Sequence, residues 1–215
     1  MIKLDILSDP ICPWCYIGKA RLDQALARHP DHPFTIEWHP FQLNPDMPAG
    51  GMDRRDYLET KFGGKTQAAK VYATIAEAAE AAGLTIDFGA IARTPNTLNA
   101  HRLIHWAGIE GRQTPVVSFL FDAYFQEGRD IGDKEVLVQV AERAEMDPVA
   151  TRRLLESAAD AQLIRDRDSH ARARGVTGVP TFIIANQHVV VGAQPPELWD
   201  SVIAELQEKL QDGAQ

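Results

Sequence analysis

Asp9-Pro10-Ile11-Cys12-Pro13-Trp14-Cys15-Tyr16-Ile17-Gly18 ends an alternating strand and opens a helix. Upstream, Ile2, Leu4 and Ile6 alternate with Lys3 and Asp5, which predicts a half-buried strand over residues 2–8. Downstream, Tyr16, Ile17, Ala20, Leu22, Ala25 and Leu26 suit a well-buried helix to about Arg28, where His29-Pro30 stops it. Pro13 is tolerated in the first turn because its missing N–H has no helical partner there. Phe34, Ile36 and Trp38 alternate again, giving a second strand near 34–39. The connection is long enough for a right-handed parallel crossover.

The far end of the chain returns to sheet. Thr181-Phe182-Ile183-Ile184-Ala185 is a short apolar run, Asn186-Gln187 a tight turn, and His188-Val189-Val190-Val191-Gly192 its hairpin partner. Pro195-Pro196 then starts an amphipathic helix to about Leu210, with Leu198, Trp199, Val202, Ile203 and Leu206 on one face.

Between the two ends the pattern is helical. A Pro- and Gly-rich loop at 44–51 marks a junction. Asp53 caps a helix to Phe62, stopped by Gly63-Gly64, and an Ala-rich helix over 66–82 stops at Gly83. Leu84–Phe88 reads as extended. Further helices start at Asn96, Thr114-Pro115, Asp133 and Asp147-Pro148, and a last one runs over 160–174 to Gly175. The order βαβ, helical block, ββα predicts an α/β fold with one sheet. Residues 1–44 and 175–215 would form the sheet domain, and 45–174 an all-helical domain inserted after the second strand.

At 215 residues, 45% hydrophobic and 24% charged, the composition is that of a globular chain of one domain, or of one domain carrying a second. Lys plus Arg is 22 and Asp plus Glu 30, so the net charge is −8, which disfavours sequence-independent binding to nucleic acid or anionic membrane. Asp5 and Asp9 interrupt any secretory apolar segment at the start, and no apolar run reaches membrane-spanning length. The expected location is the cytoplasm.

Cys12 and Cys15 are the only cysteines. A disulfide between them closes a tiny loop and adds little stability, so chemistry is the stronger reason for the pair. Cys-x-x-Cys after a strand, at a helix start, within a βαβ pattern is the setting of a redox dithiol. A helix N-terminus and a neighbouring thiol favour thiolate, and only thiolate attacks a disulfide. Cys12 is therefore the expected nucleophile and Cys15, one turn inward, the resolving thiol. Pro13 removes one N–H donor near the sulfur and Trp14 adds an apolar flap. Zinc remains an alternative, but it needs two more ligands; the nearest imidazoles, His29, His32 and His39, lack the spacing.

The chain resembles the DsbA-type thioredoxin-fold family, and within it the cytoplasmic FrnE-like thiol–disulfide oxidoreductases. The resemblance rests on the Cys12 segment, on Asn96-Thr97-Leu98-Asn99-Ala100-His101-Arg102-Leu103, on Gly178-Val179-Pro180-Thr181-Phe182 and on Gly192-Ala193-Gln194-Pro195-Pro196, in family order. It implies a cis Pro180 facing the cysteines, with Val179 and Thr181 beside it as a substrate platform and His101 near the site across the domain interface. It also implies a protein or small-molecule thiol or disulfide as substrate, glutathione as the candidate co-substrate, no metal or other cofactor, and a monomer or homodimer. Pro-Trp between the cysteines, where secreted relatives carry Pro-His, together with the cytoplasmic setting, points to a pair reduced at rest that works as reductase or isomerase. The glutathione-dependent 2-hydroxychromene-2-carboxylate isomerases and kappa-class glutathione transferases share the architecture and form the rival reading; they place a serine where this chain has Cys12. A non-catalytic zinc-binding module is a third.

Other features read as structural. His101 and His105 share a helix face without the third ligand of a zinc site. Trp38, Trp106 and Trp199 suit the core. Phe119, Phe121, Tyr124 and Phe125 suit the core too, with an apolar groove or dimer face as the alternative. Gly63-Gly64-Lys65-Thr66 lacks the spacing of a phosphate loop.

Overall fold

The computed structural model describes residues 1–212. Strand β1 (Ile2–Ser8), helix α1 (Pro13–Arg28) and strand β2 (Phe34–Pro40) form the opening crossover. Strands β1 and β2 are parallel, with Ile2 opposite Phe34 and Ser8 opposite Pro40. At the far end β5 (Thr181–Ile184), β6 (His188–Val191) and α9 (Pro196–Asp212) follow. Strand β5 pairs antiparallel with both β1 and β6, so the sheet order is β2-β1-β5-β6. The hairpin turns through Ala185 and Asn186, which both take positive φ, the geometry that matches strand twist in a tight hairpin.

Strand β1 is buried on both faces from Leu4 onward, not on one. It lies inside the sheet. One face carries Leu4 and Ile6 into the main core, while Leu7 packs with Phe41 and Ala171 on the other.

The chain between β2 and β5 holds β3 (Met52–Asp53), α2 (Arg54–Phe62), α3 (Lys65–Ala81), β4 (Arg93–Thr94), α4 (Leu98–Ile109), α5 (Gln113–Phe121), α6 (Lys134–Arg143), α7 (Pro148–Glu156) and α8 (Ala161–Ala173). It is not wholly helical: β3 and β4 form a two-residue antiparallel pairing. Pairs that short leave no periodicity to read. Leu84–Phe88 is irregular rather than extended; Leu84, Ile86 and Phe88 are held by apolar packing instead of a ladder. Helix α5 runs into a π turn over Asp122–Gln126, where bonds skip five residues.

Three aspartate caps fall where the sequence places them, whereas α4 has its N-cap at Thr97 rather than Asn96 and α5 starts at Gln113, ahead of Thr114-Pro115. The Asp53, Asp133 and Asp147 carboxylates accept from the first backbone N–H groups of α2, α6 and α7. Gly63 ends α2 in the left-handed region.

One apolar cluster runs from Leu4, Ile6 and Cys15 through Leu103, Leu120 and Phe125 to Trp199 and Ile203, joining sheet and inserted helices. A polar clamp adds to it. The Gln113 amide accepts from Trp38 N–H (2.8 Å) and donates to Trp38 C=O (3.0 Å). Gln113 thus closes the free edge of β2, which would otherwise present unpaired backbone groups. Trp38, Trp106 and Trp199 are all buried, as are Phe121, Tyr124 and Phe125; Phe119 is partly so.

Candidate active site

Cys12 is the residue that caps α1, with extended backbone torsions. Its N–H donates to the Asp9 carbonyl (2.9 Å), and its own carbonyl accepts from Cys15 N–H (3.0 Å) and Tyr16 N–H (3.2 Å). The loop from Asp9 to the helix is therefore closed by backbone bonds. Pro13 supplies the first helical residue, where no donor is missed. Both cysteines are free thiols. Cys15 is 1% exposed and Cys12 only 4%, so the expected nucleophile is itself largely covered.

The Val179–Pro180 peptide bond is cis. The Cys12 thiol points at the Val179 carbonyl, 3.6 Å away. Gly18, one turn below the cysteines, lets this loop approach α1: a Cβ there would meet Pro180 Cγ at 3.0 Å. Thr181 is buried and its hydroxyl donates to the Gly178 carbonyl (2.7 Å), fixing the turn ahead of β5. Trp14 is partly exposed and packs between the main core and the cluster of Ile17, Ile75 and Ala79 on α1 and α3.

Burial pushes the Cys15 thiol well up, and the adjacent Cys12 adds to the rise; the Ser8 hydroxyl and the Asp9 backbone N–H oppose it. A thiol so placed favours its protonated form.

His101 lies behind the Cys12 loop on α4. It is 2% exposed, and its Nε2 is 3.7 Å from Asp9 Oδ1, too far for a hydrogen bond. Asp9 is fully buried and instead accepts from Leu43 N–H (2.6 Å, Oδ2) and Ile11 N–H (3.4 Å, Oδ1). Sequence reasoning counted Asp9 within the motif but gave it no place in the site; its position two residues before Ile11 was the available signal. His105 turns away from this pair, toward Arg167 (3.5 Å). Burial and that guanidinium hold the His105 imidazole below its ordinary value.

A second polar group also escaped the sequence. Tyr16 donates from its hydroxyl to Asp122 (3.1 Å) and accepts from the Gln126 amide (2.5 Å), both on the π turn. Its ring stacks on Phe121 and Phe125. Burial is the main reason its phenol is pushed up to about 12.

Among the described residues, the metal-ligating side chains that cluster are Asp5, Glu37 and His39. Neither cysteine belongs to that group, and the Lys3 ammonium already lies 2.8 Å from both carboxylates. No helix among the described residues is long and apolar enough to cross a membrane.

A dithiol at the N-terminus of α1, facing the loop before β5 in a βαβ–ββα sheet, defines a thioredoxin-fold protein of the DsbA-like redox class. Comparison with known proteins gives the family. The chain belongs to the DsbA-like thioredoxin domain family, whose model matches residues 3–204. It is similar to the probable DsbA oxidoreductase of Streptomyces coelicolor (31% identity, TM-score 0.83, covering 95% of this chain and 89% of that one). An uncharacterized protein of Bacillus subtilis, YwbO, is 28% identical over 209 residues, 97% of this chain and 98% of its own. At 17% identity, the cytosolic disulfide reductase DsbM of Pseudomonas aeruginosa shares the fold (TM-score 0.69, 97% and 99% coverage).

Proposed function

We propose that the protein exchanges disulfides through Cys12 and Cys15, acting in a reducing cytoplasm as a reductase or isomerase. The observation that carries this reading is the Cys12 sulfur at the helix cap, 3.6 Å from the Val179 carbonyl beside Pro180.

The Cys12 thiolate attacks one sulfur of a substrate disulfide, forming a Cys12–substrate disulfide and expelling the second substrate sulfur as thiolate. Cys15 then loses its proton and attacks the Cys12 sulfur. The Cys12–Cys15 disulfide forms and the first substrate sulfur leaves. The substrate gains two electrons and the pair loses two. Two thiols restore the dithiol, becoming one disulfide; glutathione is our candidate, and its binding by DsbM supports the choice. The Val179 carbonyl, released from the Cys12 thiol, is free to accept from an extended substrate strand, with Pro13, Trp14 and Thr181 around it. His101, 2% exposed, lies behind the Asp9 loop and does not reach the substrate.

Insulin disulfide reduction with glutathione as reductant tests the assignment. Wild-type protein turns over and Cys12→Ser falls to the uncatalysed background. Equal rates for the two would overturn it.

A further inference from the structure

The charged run Asp53-Arg54-Arg55-Asp56 hides a buried cation. Arg54, the first residue of α2, is 7% exposed. Its guanidinium carbon lies 5.1 Å from the Tyr72 ring centre and 5.9 Å from that of Phe88. Nη1 donates to the Tyr124 hydroxyl (3.2 Å), while Nη2 is buried with no hydrogen-bond partner. No carboxylate among the described residues comes within ion-pair distance of Arg54. Asp53, Asp56 and Glu59 line the same cavity; the Asp53 carboxylate is taken up in capping α2, and Glu59 faces Lys65 (3.5 Å) and Arg55 (3.8 Å), which line it too. Asp56, on the first turn of α2, is exposed. The positive end of the α2 dipole adds to the local potential.

Arg54 lines a cavity of about 800 Å³, within the size range of small-molecule sites. Its apolar wall includes Tyr72, Phe88, Ile91 and Ala68. Cys12, Cys15 and Pro180 do not line it, although Tyr72 lies within range of the Cys12 charge. A buried charge without a counter-ion is costly, and an incoming anion removes that cost.

We propose that this cavity binds a small carboxylate with an aromatic or alkyl body. The carboxylate seats on the Arg54 guanidinium, and the body packs on Tyr72 and Phe88. Nη2 is shielded from water, so seating involves a local side-chain rearrangement. The arrangement rewards a charge at one end and apolar surface at the other. Inorganic anions satisfy only the first and neutral hydrocarbons only the second.

Calorimetric titration of the reduced full-length protein with 3-phenylpropionate tests this without any exchange chemistry, so it stands or falls apart from the disulfide reading. Saturable one-to-one binding is expected, with 3-phenylpropionamide at least about tenfold weaker. Arg54→Gln should weaken the acid by about tenfold and leave the amide unchanged. Ala69→Trp fills the cavity from the exposed side of α3 and should abolish both; it keeps the test decisive if Arg54→Gln fails to fold. No binding of the acid, equal binding of acid and amide, or full binding by Ala69→Trp would each overturn the proposal.

Discussion

The sulfur site and the α2–α3 flank solve opposite problems. Around Cys12 it is backbone groups that are held in place: the Asp9 carbonyl, the α1 terminus, the Val179 carbonyl, and the Leu43 and Ile11 N–H groups tied down by the Asp9 carboxylate. Around Arg54 they are fixed by side chains: Tyr72, Phe88 and Tyr124. Exchange needs one sulfur held at one spot whatever the substrate carries, and backbone groups give that. Discrimination between ligands needs groups that differ from protein to protein, and side chains give that. On the two proposals, exchange lies with the sheet ends and ligand selectivity with the helices between them.

The comparison predicts that disturbing the backbone frame costs more than disturbing the bridge between the regions. Asp9→Ala should be the most damaging. It leaves the Leu43 and Ile11 N–H groups without their acceptor, and each buried orphan costs about 1–3 kcal/mol. A loss of about 3 kcal/mol in denaturant unfolding is expected, with Asp9→Asn losing less because one oxygen still accepts. Equal stability of Asp9→Ala and wild type would break the backbone-frame account.

Gly18→Ala comes next. The new methyl meets Pro180 Cγ at 3.0 Å, with Phe182 and Ala193 close behind at 3.5 Å. Overpacking of this kind costs about 1–3 kcal/mol, or roughly 2–4 °C in melting temperature per kcal/mol at this size. Insulin reduction should fall as well, because the Val179 carbonyl moves away from Cys12. An unchanged melting temperature and rate would show that the approach of the loop is not required.

The smallest effect lies where the two regions meet. Tyr16 holds its proton to about 12, above the ordinary value near 10. The folded state therefore favours the neutral phenol. That contribution is complete below pH ~10 and is lost as pH rises through about 12. Tyr16→Phe keeps the stacking on Phe121 and Phe125, gives up the bonds to Asp122 and Gln126, and should cost about 1 kcal/mol at neutral pH. It should also flatten the alkaline fall in stability, measured as unfolding midpoints between pH 9 and 12. An identical alkaline fall in the variant would detach Tyr16 from it.

How much the sequence revealed follows the same division. Alternation in β1 and β2, the apolar run of β5, the aspartate caps and the Cys-x-x-Cys helix start are local signals, and each lies where it was read. Arg54 was invisible because its burial depends on Tyr72 and Phe88, 18 and 34 residues further on. Gln113, as the closure of the β2 edge, is equally non-local, 75 residues from Trp38. The β3–β4 pairing is too short to leave a pattern. Asp9 could have been singled out, since an acid beside Pro10 in an otherwise apolar turn needs partners.

The most direct test of the account is a redox titration of the two thiols in a glutathione series, comparing wild type with Cys15→Ser by mass and thiol counting. The account predicts a reversible, two-electron Cys12–Cys15 disulfide in wild type, and a Cys12–glutathione mixed disulfide that accumulates in Cys15→Ser because no resolving thiol remains. If no disulfide forms at any poise and glutathione binds both proteins without exchange, the oxidoreductase account is wrong.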